Sequence, residues 1–535
     1  MRENETEMDG TAKLELWWSV ILIIISAALM RVCEVMWLKP RRIRSKLSKQ
    51  GIGGPKPTSI LHGNIQEMSK IQSMATRTIP PPLGQVVSHD WYLSTFPYLQ
   101  KWSQEYGSVY MYSTGNKQHL YISQPDLLKE LNLHKSLALG RPTYLTAATE
   151  PMLGNGVIKA NGESWAYQRK LIASEFFLHK VKGTLGLMEE STMAMVEAWE
   201  KHITESEEGV VDITVDEDMK SVSADIISKA CFGSSYVQGK QIFEKLRALQ
   251  EAMSKPSMLF GLPQFRFLPT KGNRAIWRLK EEVDSFIHRV VKARQEKRQQ
   301  DGKSEDLLQM ILDAANNDSQ KHASKTDHFI VDNCKNIYFA GHETTALTAS
   351  WTLMLLALYP EWQECVRAEI SKICGDPLQT CRLDLDTIPQ LKTLTMVIQE
   401  SMRLYGPAII MAREAFADIK LGDLVVPKGI HIWNLIPVLH RDPEIWGVDA
   451  GEFKPERFAN GITEASKYPQ AYMPFGYGTR LCIGQTFAML ELKIILSLCL
   501  SRFSFSISPK YCHSPMYKML LMPEHGMRLL VKKVS

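Results

Sequence analysis

Residues 475–484 read Phe475-Gly476-Tyr477-Gly478-Thr479-Arg480-Leu481-Cys482-Ile483-Gly484. A single cysteine sits in a glycine-rich loop, directly ahead of a helical pattern from Gln485 to Leu500. Glycines at 476, 478 and 484 permit close backbone approach and positive φ angles. A helix that starts just after the cysteine brings its N-terminal amides and positive dipole end near the sulfur. That favours thiolate over thiol. Arg480 adds a cation suited to a carboxylate. A lone cysteine is by default a small buried hydrophobe, and it is the surrounding pattern that sets this one apart.

The other cysteines do not compete with it. Cys33, Cys231, Cys334, Cys365, Cys374, Cys381, Cys499 and Cys512 are scattered and form no C-x-x-C. Neither a disulfide framework nor a zinc site is expected from such spacing, so the body of the protein reads as cytosolic and reduced. The chain has 535 residues, 44% of them hydrophobic, enough for one large core. No Gly/Ser/Pro-rich linker, internal repeat or low-complexity tract divides it. Its 63 Lys/Arg against 58 Asp/Glu leave a net charge of +5, without the basic stripe of a nucleic-acid binder.

The N-terminus reads as an address. Leu16 to Met30 is apolar or small throughout, Arg31 and Glu34 interrupt, and Val35 to Leu38 continue the run. A membrane span needs about 20 residues. The segment ahead of it is acidic (Glu3, Glu5, Glu7, Asp9), unlike the basic n-region of a cleaved signal peptide. The basic cluster Lys39, Arg41, Arg42, Arg44, Lys46 and Lys49 follows it, and positive charge stays cytosolic. The expected organisation is a short lumenal segment 1–13, a transmembrane anchor 14–38, a basic and Gly/Pro-rich hinge 39–57 and a catalytic domain 58–535.

Three further patterns carry chemistry. A long helix is expected from Asp332 to Tyr359, loosened locally where Ala340-Gly341-His342-Glu343-Thr344-Thr345 places a glycine and two β-branched residues. Glu400 and Arg403 form an i, i+3 pair on one helix face, ordinarily a solvated ion pair of little worth. Trp165 and Arg169 are four apart and face the same way.

Together these patterns resemble the cytochromes P450. F-x-x-G-x-R-x-C-x-G (Phe475, Gly478, Arg480, Cys482, Gly484) resembles their haem-binding loop, A-G-x-E-T-T their oxygen-side helix, E-x-x-R with a downstream Arg457 their core lock, and W-x-x-x-R a propionate contact. The resemblance implies a mainly α fold with small β-sheets behind one N-terminal transmembrane helix. It implies haem b (iron protoporphyrin IX) ligated by Cys482, a thiolate that favours O–O cleavage. Glu343 and Thr344 would relay protons to iron-bound oxygen. Trp165, Arg169, Arg413 and Arg480 would face the propionates. Glu400, Arg403 and Arg457 would be structural.

The segments 48–73, 96–132 and 153–183 look closest to the plant microsomal family that oxidises gibberellins and ent-kaurenoid precursors. The implied substrate is a rigid, hydrophobic polycyclic terpenoid, with triterpenoid acids as the alternative. A non-catalytic membrane haem-binding protein is the reading from another class, and the intact Glu343–Thr344 pair speaks against it. No flavin or nicotinamide motif is present, so electrons are expected from a separate NADPH–P450 reductase at the endoplasmic reticulum membrane. Lys170, Lys180 and Lys182 are candidates for its docking face. By analogy, Gly140 to Leu153, Gln241 to Phe267, the helix before Gly341, Ala408 to Arg413 and Met522 to Gly526 line the pocket. Met253, Met258, Leu259, Phe260, Ile409 and Ile410 are the candidate apolar wall.

Overall fold

A computed structural model describes residues 2–75, 87–135, 137–233, 236–254, 267–301, 306–318, 323–375 and 383–534. The fold is mainly helical with small sheets, as expected. Helix Arg2–Cys33 runs through a π-helical turn, Glu34–Leu38, into helix Lys39–Ser48. Leu16–Ser48 is long and apolar enough to cross a membrane, and its most apolar stretch is not buried among the described residues. The basic segment behaves differently from a hinge at its start. It is helical to Ser48, and its Ile43 and Leu47, four apart, are buried against the catalytic body. Lys46 pairs with Asp418 at 3.2 Å, and the Gln50 amide bonds the Val425 backbone in both directions. Turn and coil occupy 49–57.

The larger sheet takes five strands from distant parts of the chain: β1 (Val109–Thr114), β2 (Lys117–Ile122), β3 (Leu139–Gly140), β4 (Ile410–Ala415) and β5 (His431–Leu435), in the order β1-β2-β5-β4-β3. Only the β2–β5 pairing is parallel. Beside it lies the helical body, which includes α1 (Gly162–Ala173), α2 (Val215–Phe232), α3 (Tyr236–Met253), α4 (Ala323–Leu358), α5 (Lys392–Tyr405) and α6 (Gln485–Arg502).

Helix α4 is the axis of the molecule. It is buried on nearly every side from Ile330 to Leu356, which an all-round apolar pattern requires. Its hydroxyls avoid a desolvation cost by bonding back along the helix: Thr344, Thr348, Ser350 and Thr352 donate to the carbonyls four residues earlier at 2.7–2.8 Å. Pro360 ends it, because the residue before a proline is pushed out of the helical region; Tyr359 has φ −121° and ψ 74°. The helix passes through Gly341 without a break, so the expected loosened turn is absent. The glycine answers to packing instead. A β-carbon there would come within 2.5 Å of Ile227 on α2.

A row of polar side chains on α4 clamps the loop ahead of α1. Asp332 accepts from the Asn155 amide at 2.7 Å, Asn333 from Val157 at 3.1 Å and Asn336 from Ile158 at 2.8 Å. Asn336 also donates to the Leu153 carbonyl. These bonds tie the height of α1 to α4.

One cysteine departs from the reduced pattern. Cys374, at the end of helix Pro360–Cys374, is disulfide-bonded, with its partner outside the described residues. Cys33, Cys231, Cys334, Cys365, Cys482, Cys499 and Cys512 are free.

Candidate active site

The cysteine loop is folded back on itself. The Cys482 amide donates to the Phe475 carbonyl at 2.9 Å. Gly478 takes φ +68° against the end of the helix at Asn132, where a β-carbon would lie 2.0 Å from the Asn132 carbonyl oxygen, so no other residue fits. Gly484 is different: its φ is −89° and its surroundings are open, so neither conformation nor packing demands glycine there. It caps α6, which begins three residues after the cysteine.

Cys482 is exposed to solvent although protein surrounds most of it, which sets the thiol in a recess. Burial pushes its pKa up; the Gly484 amide and the Arg169 guanidinium oppose that without reversing it. The loop and the helix end do not by themselves favour thiolate, contrary to the expectation from α6. A coordinated metal deprotonates a thiol outright, so the thiolate belongs to the metal-bound form.

Four arginines converge around this recess. Arg480 stacks on Trp165, 4.3 Å from the ring centre, and donates to the Ala160 carbonyl and Asn161 Oδ1 at 3.1 and 3.0 Å. Arg169 donates to the Leu481 carbonyl at 2.8 Å and lies 5.9 Å from the Trp165 ring. Arg413, on β4, is buried, and its guanidinium donates to the Ala412 carbonyl alone. The fourth, Arg141, was not singled out in the sequence. Asn161 holds it through its backbone, accepting from the Arg141 amide at 2.7 Å and donating to its carbonyl at 3.0 Å. Its Nε is buried and has no hydrogen-bond partner.

Among the described residues none of the four ion-pairs with a carboxylate. Burial, then Arg141 and Arg480, push Arg413 well below the usual guanidinium value. Burial, then Arg141 and Arg169, bring Arg480 to about 9. Clustered, desolvated cations without counter-ions are costly. They fit a ligand that brings its own carboxylates.

The oxygen-side residues lie on α4. Thr344 is half-buried and donates to the Ala340 carbonyl at 2.7 Å. Glu343 is buried. Burial raises its pKa, but the hydrogen bond and charge of His342, with Lys220 and Arg247, outweigh that and hold it near 2. The three residues expected to form a structural lock come together. Arg403 donates through Nε and Nη2 to the two Glu400 oxygens at 2.7 Å each, with both side chains completely buried. Arg457 stands 3.5 Å from Glu400 and 2.7 Å from Asp449.

A model of the cytochrome P450 family matches residues 81–531. The chain is 48% identical over 521 residues to "Cytochrome P450 714A2" of Arabidopsis thaliana, covering 96% of this chain and 98% of that protein. It is 46% identical over 523 residues to "Cytochrome P450 714C2" of Oryza sativa subsp. japonica, covering 97% and 98%. "Cytochrome P450 714B3" of Zea mays is 43% identical over 508 residues, covering 94% and 93%.

The chain is a cytochrome P450. It is therefore a monooxygenase of a haem family, and the recess fits that group. Cys482 offers a sulfur donor there, and the uncompensated arginines suit the two propionates.

Several buried polar residues on the helices of this P450 were not legible in advance. Glu491 on α6 is fully buried, and burial pushes its pKa to about 8. Ser223 on α2 donates to it at 2.5 Å and lies 3.4 Å from the Gly341 carbonyl, so α6 and the oxygen-side helix meet through one hydroxyl. Lys335 is completely buried and ion-paired with Asp284. The only signal for either was a charged residue inside an apolar helical pattern. Of the candidate apolar wall, Met253 and Ile409 are buried in the main core and Ile410 packs against it. Ile410 also lines a small cavity with Phe96, Tyr144 and Trp433. Met258, Leu259 and Phe260 lie outside the described residues. Of the candidate docking lysines, Lys170 and Lys182 are exposed, while Lys180 faces Glu175 at 3.9 Å.

Proposed function

We propose that this P450 hydroxylates or epoxidises a polycyclic terpenoid, a gibberellin or ent-kaurenoic acid-type diterpenoid. The recess supports the reading: one cysteine set in it and four arginines that, among the described residues, have no acidic partner; the Glu343–Thr344 pair on α4 supports it further. Support for the substrate class comes from the sequence stretches 48–73, 96–132 and 153–183. Ile410 lines a small apolar cavity with Phe96, Tyr144 and Trp433. Triterpenoid acids are the alternative substrates.

Haem bound to Cys482 supplies oxygen activation, its thiolate favouring O–O cleavage. The chain's own residues do the rest. Arg141, Arg169, Arg413 and Arg480 bind and orient the propionates, with Trp165 as the platform for two of them. Thr344 holds its hydroxyl proton toward the Ala340 carbonyl until a better acceptor arrives. Glu343 holds or passes a proton at its carboxyl oxygens. Glu400, Arg403 and Arg457 keep the cysteine loop's supporting segment in place. NADPH–P450 reductase would supply electrons, with the catalytic body on the cytosolic face of the endoplasmic reticulum, residues 1–13 lumenal and 14–38 in the bilayer.

Product analysis decides it. Membranes supplemented with reductase and NADPH should convert ent-kaurenoic acid or a gibberellin to a product one oxygen heavier. Turnover of triterpenoid acids alone would move the substrate to the alternative, and binding of haem without any turnover would remove the enzymatic reading.

A further inference from the structure

His342 sits one residue before Glu343 and has no role in the chemistry above. It is 4% exposed, and Glu343 is 2% exposed. The His342 Nδ1 faces the Tyr338 carbonyl oxygen at 2.5 Å. A carbonyl only accepts, so Nδ1 carries a hydrogen. In a neutral imidazole Nε2 is then a bare lone pair. That lone pair faces Glu343 Oε1 at 3.3 Å, and an ionised carboxylate also only accepts. Two acceptors held together away from water would repel. One proton between them removes the conflict, whether it rests on nitrogen or on oxygen.

The surroundings favour a charged, ordered pair. The Phe243 ring of α3 packs edge-on against His342 with ring centres 4.6 Å apart, which fixes the imidazole plane. Lys220 from α2 and Arg247 from α3 act on Glu343 electrostatically. Both continue outward: Lys220 binds Asp216 and Glu217 at 3.0 and 3.1 Å, and Arg247 binds Glu217 at 2.7 Å. Glu217 and Arg247 are exposed by 52% and 39%. Charged groups therefore extend from solvent toward the buried pair, and Lys220 and Arg247 reach it electrostatically and not by a hydrogen bond. The other Glu343 oxygen is buried with no hydrogen-bond partner.

We infer that His342 and Glu343 share a single proton and together form the proton-holding unit beside Thr344, with His342 as the positioning residue. This rests on the oxygen-side reading of Glu343 given above. On delivery, the bond between that proton and the pair breaks and an O–H bond forms on the acceptor at the Thr344 side. The pair is left with two lone pairs facing each other at 3.3 Å. A proton from solvent, entering past Glu217 and Lys220, restores it.

The test compares the full-length, haem-loaded wild type with H342Q and E343Q. Infrared difference spectra between neutral and alkaline pH should show imidazole and carboxyl bands of the wild type changing together as one proton leaves. Either variant should abolish that joint change. H342Q should also lower product formed per NADPH several-fold, more so as pH rises, while its thiolate-type spectrum and thermal midpoint stay close to wild type. Wild-type coupling for H342Q at every pH would overturn the proposal. So would an imidazole band that titrates identically in wild type and E343Q, a result that holds even if H342Q fails to fold. Should E343Q itself keep wild-type coupling, the assignment of Glu343 falls instead, whatever His342 does.

Discussion

Two groups of buried or half-buried arginines are built on opposite rules. Arg403 has its guanidinium hydrogen-bonded throughout, and Arg457 is ion-paired with Glu400 and Asp449. Besides Glu400, Arg403 donates to the carbonyls of His440, Ala450 and Glu452, and Arg457 donates to those of Trp446 and Asp449. Arg169, Arg413 and Arg480 donate to a few carbonyl oxygens, and among the described residues neither they nor Arg141 pair with a carboxylate. Guanidinium chemistry is the same in both. The first group satisfies its charges internally and holds a structure; the second leaves them for a ligand. Removing a partner from a buried ion pair strands a charge, whereas removing an uncompensated charge relieves one.

Breaking the ion-paired group should therefore have the largest effect. R403A leaves Glu400 buried without its main partner and should cost about 3–5 kcal/mol. That takes a large share of the stability of a marginally stable fold. Thermal or denaturant unfolding of the apoprotein should show the loss before haem is considered. A stable, haem-loading R403A would erase the distinction between the groups.

The converse substitution sharpens it. R413M removes a cation that has one backbone partner and two repelling arginines. The apoprotein should be as stable as wild type or more so, while haem dissociates roughly tenfold to a hundredfold faster, as expected for one lost charge-assisted hydrogen bond of about 1.5–3 kcal/mol. Haem transfer to a scavenger protein reads the rate. Parallel losses of apoprotein stability and haem retention would make Arg413 structural.

Glu491 lies between the two cases, a buried carboxyl with one neutral partner, Ser223. Its folded pKa is about 8 against an ordinary 4.5. The folded state therefore binds more protons than the unfolded chain between those values. Stability is complete below about 4.5 and falls as pH rises toward 8, with a slope of about 1.4 kcal/mol per pH unit from this group. E491Q cannot titrate. It should match wild type near pH 5 and exceed it near pH 8 in thermal midpoint. An unchanged pH profile would show that the carboxyl is ionised in the fold.

The same contrast explains what could be seen in the sequence. Cys482, Glu343, Thr344 and the Glu400–Arg403 pair act at short, fixed spacings, so their pattern is visible along the chain. Arg141 is not, because it enters the site only where Asn161 from the next segment takes hold of its backbone. Thiolate character was over-read at Cys482: the helix end is a real influence, but desolvation is larger. At Gly341 the residue was noticed for the wrong reason, since propensity within a helix is local and the Ile227 contact is not. The basic segment after the anchor hid two apolar residues, Ile43 and Leu47, whose spacing already suited a docked helix face.

The reading of the second group presupposes that Cys482 would hold the haem. The reduced, carbon monoxide-bound spectrum of the purified full-length protein tests this most directly. Wild type should show the red-shifted Soret band of a thiolate ligand, and C482S should lose it while R413M retains it on the haem that remains bound. A thiolate-type band that survives in C482S would contradict the account at its centre.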